Sequence, residues 1–170
     1  MLTVAFFRNL NQGQRNSPSS AQLIAAFGLV GVPDAVPFQN NGTVLFDAPD
    51  PVACTRAVVE RLAATSPWSD VALVRNAEWL IAFMAGLRID ASTFRRTELS
   101  LFDESSSPSD KLPLTGKGCT VVSGGPGFAV TRNDRDRESN ATPTLERALG
   151  VAVTSRGLPT LSRLVERLAR

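Results

Sequence analysis

Residues 36–52, VPFQNNGTVLFDAPDPV, decide the fold. Val36–Gln39 and Thr43–Phe46 are short β-prone runs on either side of Asn41-Gly42. That dipeptide is the strongest two-residue hairpin signal, because a type I′ turn needs positive φ at both central residues. Asp50 then offers a side-chain oxygen to cap a helix, and Pro51 fits a first helical turn, where its missing N–H costs nothing. The stretch predicts strand, turn, strand and helix in immediate succession.

Working outward, Thr3–Arg8 is β-branched and aromatic and predicts a first strand. Asn9–Ser17 is a polar loop, and Pro18 is placed in the first turn of a helix with Leu23, Ile24 and Phe27 on one face. Gly28 and Gly31 loosen and end that helix. On the other side, Cys54, Val58 and Leu62 form the buried stripe of the second helix, and Val71–Arg75 supplies a fourth strand. The order is β-α-β-β-α-β, the ferredoxin-like unit.

Asn76 is suited to cap a connecting helix, in which Trp79, Leu80, Phe83, Met84 and Leu87 are spaced for burial. The pattern then returns in weaker form. Thr97–Phe102 reads as a strand, and Glu104–Gly116 is Ser/Pro-rich where a helix is expected. Cys119–Ser123 and Phe128–Arg132 flank the glycine-rich turn Gly124–Gly127. Thr142-Pro143 starts a helix that runs to Leu149, Val151–Thr154 reads as the last strand, and Pro159 opens a terminal helix striped by Leu161, Leu164, Val165 and Leu168. The predicted fold is α+β, with two ferredoxin-like halves forming one compact unit. Residues 1–75 make the first half, and residues 76–170 hold the connecting helix and the second half with its C-terminal helix.

Composition narrows the chemistry. The 170 residues include no histidine and no tyrosine, which removes Ser-His and Cys-His nucleophile pairs and histidine bases. Two separated cysteines, Cys54 and Cys119, form neither a disulfide framework nor a zinc site. No dinucleotide or P-loop glycine motif is present, so no cofactor or metal is expected and the reading leans away from an enzyme. A net charge of +2, from 18 basic and 16 acidic residues, is too balanced for a general nucleic-acid glue. No apolar run is long enough to span a bilayer, and the N-terminus reads as a strand rather than a signal peptide, so a cytoplasmic location without a membrane partner is the expectation.

Three segments carry a family resemblance. Phe6–Asn16, FFRNLNQGQRN, resembles the pattern L-R-G-I-N-V-G-G-x-N, and Phe38–Phe46, FQNNGTVLF, resembles Y-I-Q-S-G-N-V-V-F. Thr154–Leu164, TSRGLPTLSRL, resembles T-T-R-N-W-N-T-V-x-K-L. In this order and spacing they resemble the bacterial family of uncharacterised proteins catalogued as domain of unknown function number 1697. The resemblance implies a fold with ferredoxin-like halves and no assigned activity. Arg8, Asn11, Gly13, Asn16, Gly42, Arg156 and Thr160 match the patterns. Asn9 and Gln14 stand where glycine is usual, and Gly157, Leu158 and Pro159 replace Asn-Trp-Asn.

Candidate binding residues follow from these motifs. The loop Arg8–Asn16 runs from a strand towards a helix N-terminus, where free N–H groups and two arginines suit a phosphate or carboxylate. Arg8, Asn11, Gly13, Arg15 and Asn16 are the candidates there, with Arg156 and Thr160 at a second strand-to-helix junction that pseudo-symmetry brings towards the same surface. The opposing reading is that such loops satisfy their own backbone through turns and caps. The first function reading is thus a non-enzymatic binding domain for a small anionic or nucleotide-like ligand. The second is an RNA-binding module with an open sheet face, for which Phe6 would be a stacking ring, although core packing of Phe6 or Phe7 competes with it. The third is a protein-interaction domain that uses a sheet face or edge. Thr131–Asn140, with alternating charges, reads as a solvated loop.

Overall fold

Two compact units divide the chain, Met1–Ala82 and a second that begins at Phe83. The computed structural model describes residues 1–169. The first unit contains β1 (Leu2–Phe7), α1 (Ser20–Leu29), β2 (Val36–Phe38), β3 (Thr43–Asp47), α2 (Pro51–Thr65) and β4 (Ala72–Asn76). Its sheet has the order β2-β3-β1-β4, and each neighbouring pair is antiparallel. This is the ferredoxin-like arrangement expected from the sequence.

Local chemistry sets the boundaries. The capping box of α1 joins Ser19 Oγ to the Gln22 N–H at 3.1 Å and the Ser19 N–H to Gln22 Oε1 at 2.8 Å. Pro18 therefore precedes the cap rather than entering the first turn. Asp50 caps α2 as predicted, accepting from the Ala53 N–H at 2.9 Å. Thr55, Val58 and Leu62 are the buried residues of α2, and Cys54 is half-buried at the edge of the core. Phe7, Phe27, Phe46 and Trp68 form the aromatic centre of that core, with ring centroids 5.1–6.1 Å apart.

The hairpin between β2 and β3 differs from the two-residue turn predicted. Phe38 pairs with Thr43, so residues 39–42 form a four-residue connection. Gln39 and Gly42 take positive φ, at 57° and 69°. A Cβ on Gly42 would stand 2.9 Å from the Leu10 carbonyl oxygen. The glycine serves a close approach by the loop after β1 rather than a type I′ turn.

The second unit repeats the plan with one omission. It contains α4 (Ala91–Phe94), β5 (Thr97–Leu101), a 3-10 turn (Ser109–Lys111), β6 (Leu114–Gly116), β7 (Cys119–Gly125), β8 (Phe128–Asn133), α5 (Ala141–Leu149), β9 (Thr154–Gly157) and α6 (Leu158–Leu168). The division between the units falls inside α3 (Ala77–Gly86). The sheet order is β6-β7-β8-β5-β9, in which β7-β8-β5-β9 reproduces the first sheet. The short turn and β6 replace the first helix. Serine-rich sequence explains this, since Ser105 bonds Asp103 through both its N–H and its hydroxyl and so favours a turn.

The last strand lies at Thr154–Gly157, not Val151–Thr154. Gly150 ends α5 in the left-handed conformation, and Val153 is buried in the core with its N–H donating to Glu146 Oε1 at 3.1 Å. The β-branched valines pack as a connector, and the ladder falls to the more polar residues that follow. Among the described residues no helix is long and apolar enough to cross a membrane.

Candidate functional site

The loop after β1 is built from local turns. Asn9, Gly13 and Asn16 have positive φ, at 52°, 85° and 68°. Asparagine tolerates this region better than other non-glycine residues, so Asn9 sustains a backbone where the resembling family has glycine. Gln14 N–H donates to the Asn11 carbonyl at 3.1 Å, and Ser17 N–H to the Gln14 carbonyl at 3.2 Å. Gln12 N–H reaches the Asn40 carbonyl at 3.0 Å, docking the loop on the β2–β3 connection.

Arg8 is committed to this framework. Its Nη1 contacts both carboxylate oxygens of Asp70, at 3.0 and 2.8 Å, and Asn9 Nδ2 adds a bond of 2.9 Å. The helix end that was to receive an anion already carries the Ser19 cap. Asn11, Gly13, Arg15 and Asn16 are exposed, whereas the Gln12 side chain is buried with both polar atoms lacking a hydrogen-bond partner.

Arg156 and Thr160 lie in the second unit. Arg156 Nη1 donates to Thr154 Oγ1 and to the Ser155 carbonyl, each at 2.9 Å, and burial pulls its pKa down to about 10, which leaves it charged at neutral pH. Thr160 is half-buried in the first turn of α6. The loop after β8 is anchored. Buried Glu98 accepts from Asn133 Nδ2 at 2.8 Å and from Ser139 Oγ at 2.6 Å, while Asn133 Oδ1 holds the Asn140 N–H at 3.0 Å. Phe6 and Phe7 are both fully buried, so neither ring offers a base a stacking surface.

A site that sequence reasoning missed lies on the first unit. Val52, Thr55, Arg56 and Val59 of α2 face Val71, Ala72 and Val74 across a groove of about 370 Å3. This volume falls within the range of small-ligand sites, roughly 300–1,000 Å3. The lining is apolar apart from Thr55 and Arg56. Thr55 is only 3% exposed, and its hydroxyl has no hydrogen-bond partner. An unpaired buried hydroxyl costs about 1–3 kcal/mol. Val52 and Val71 are 60% and 41% exposed at the groove. The available sequence signal was Val52 and Val59, a second apolar pair one turn-face away from the Val58–Leu62 stripe.

No protein-family model matches the chain, and no curated protein matches it in sequence. Among solved structures it is similar to the conserved bacterial protein SP0830 from Streptococcus pneumoniae, with a TM-score of 0.70 and 16% identity, over 99% of this chain and 98% of the other. At that identity the likeness establishes the fold: an α+β chain with two ferredoxin-like halves, shared along its whole length with a conserved bacterial protein.

Proposed function

We propose that the chain is a non-enzymatic binding module that receives a partner in the groove between α2 and β4. The observation that carries this reading is an apolar groove bearing an unpartnered buried hydroxyl beside a sheet edge. Of the three readings drawn from the sequence, it favours the interaction domain. We also propose that the chain is a divergent member of the family named above, which the order of the three resembling segments supports. Burial of Phe6 and Phe7 argues against the RNA reading.

A second reading keeps a small anionic ligand at the loop after β1. Exposed Arg15, Asn11 and Asn16 beside the unpartnered Gln12 amide favour it. With Arg8 held by Asp70, Arg15 is the cation that would carry the binding. Arg156 and Thr160, in the second unit, enter this reading as a second strand-to-helix junction.

Methyl and amide NMR of the intact chain separates the two. A panel of apolar fragments, blocked valine and leucine peptides, inorganic phosphate and common nucleotides is titrated in low salt. The groove reading expects saturable shifts at Val52, Val59, Val71 and Val74. Silence at those methyls, with saturable phosphate or nucleotide shifts at Arg15 and Gln12, would replace it with the anion reading.

A further inference from the structure

We propose that the occupant of the α2–β4 groove is an extended peptide segment that joins β4 as an additional strand, with a carboxylate side chain meeting Arg56. The proposal rests on the groove being the binding surface. It adds to that reading the chemistry of the partner.

The four sheet edges are not equivalent. β2 has three residues and contains Pro37, and β6 also has three residues. β9 has four residues and ends on Gly157; it passes directly into α6, as β4 does into α3, so length and the glycine are what set it apart. Short strands and proline are common ways of keeping an edge from pairing with another chain. β4 has five residues, Ala72-Leu73-Val74-Arg75-Asn76, with neither proline nor glycine, and it pairs with β1 on one side only. Its outward-facing main-chain groups offer a template for one more strand, save that the Val74 carbonyl already accepts from Arg75 Nη1 at 2.7 Å and an incoming strand must share or displace that bond.

The groove lies where the side chains of such a strand would point. Ala72 and Val74 pair with Phe7 and Ala5, whose side chains belong to the helix-covered core. That is the face on which α2 packs. An added strand would run about 4.8 Å from β4 and direct every second side chain towards Val52, Val59 and Val74. Recognition by strand addition combines main-chain bonds at the edge with pockets for alternate side chains, and both parts are present here.

Charge selects the kind of segment. Arg56 is the one charged residue lining the groove, is exposed, and has no ion pair among the described residues. It stands midway between Val52 and Val59 on α2. A second copy of β4, Ala72-Leu73-Val74-Arg75-Asn76, would bring no carboxylate to Arg56. Asp70, adjoining Val71, is already held by Arg8. A segment that alternates apolar and acidic residues fits better than a second copy of this chain.

The test is selection of random seven-residue peptides displayed on phage against the intact chain, followed by synthesis and affinity measurement of the enriched sequences. Enrichment of alternating apolar residues with an acidic position is expected, with at least a ten-fold loss of affinity in Arg56→Glu. Replacing the peptide's acidic residue by lysine should restore binding to Arg56→Glu. Arg56 is exposed, so the variant should fold, and its amide spectrum checks that. Enriched peptides that shift the groove methyls yet ignore the Arg56 charge would overturn the acidic-strand proposal and leave the groove reading standing. No enrichment, together with silent groove methyls, would remove both. Concentration-dependent dimerisation with protection of β4 amides would make a second copy the occupant and overturn the peptide.

Discussion

Arg8 and Asp70 are joined by one guanidinium nitrogen that reaches both carboxylate oxygens, at 3.0 and 2.8 Å. Trp68 Nε1 donates to the Arg8 carbonyl at 3.1 Å, and the Arg8 N–H donates to the Val71 carbonyl at 2.9 Å. These bonds fasten the end of β1 to the segment that leads into β4, and so help to place the floor of the groove.

Breaking this clasp is expected to cost stability. Arg8→Ala and Asp70→Asn should each lower the unfolding free energy by about 2 kcal/mol, the scale of a hydrogen bond to a charged group. The double variant should lose clearly less than the sum, because the two residues share one interaction. Urea midpoints of the four proteins test this. Unchanged midpoints would return Arg8 to the list of ligand residues.

Two glycines should respond in opposite directions to alanine. Gly42 has φ 69°, and an added Cβ would meet Leu10 and Phe7 main-chain oxygens at 2.9 and 3.0 Å. Gly42→Ala should cost about 2 kcal/mol or more, within the scale of backbone strain. Gly28 lies in α1 with nothing within 4 Å of an added Cβ, so Gly28→Ala should stabilise by about 0.5–1 kcal/mol. Thermal unfolding of the pair is the check.

Most of the first half was legible because its signals are local. Asp50-Pro51 fixes the start of α2, and β-branched runs mark β1, β3 and β4. The turn at Asn41-Gly42 was misjudged because the demand on Gly42 comes from Leu10, far away in sequence. Val151 and Val153 misplaced the last strand because β-branched residues also suit a buried connector. Arg8 looked like a ligand residue because its partner, Asp70, lies 62 positions on. The groove was hidden for a similar reason: it needs α2 and the sheet edge together, and only Val52 and Val59 hinted at it.

Glu98 is expected to hold the loop after β8 in place. Glu98→Gln places an amide donor among the Asn133 and Ser139 donors and should cost about 2 kcal/mol. Hydrogen exchange at residues 134–140 should quicken more than exchange in the first unit. Uniform exchange in both proteins would show that the loop is fixed without Glu98.

Burial, with Asp50 as the second cause, raises the pKa of Cys54 above its ordinary value of 9.0. The folded thiol therefore forms less thiolate than a free cysteine, and alkylation at pH 8.5 should be slower than for glutathione. Because the folded pKa is the higher one, this group's stabilising contribution is complete below pH 9 and is lost as pH rises through the folded pKa. Asp50→Asn keeps a good helix cap and removes the charge, so it should speed alkylation. An unchanged rate would assign the shift to burial alone.

The most direct test of the central claim is amide hydrogen exchange at Ala72–Asn76, with and without a saturating acidic–apolar peptide. A fifth strand predicts that the outward-facing amides of β4 slow by at least about ten-fold while those of β2 stay unchanged, since new ladder bonds must open before exchange. Unchanged exchange across β4 with the peptide fully bound would contradict the account.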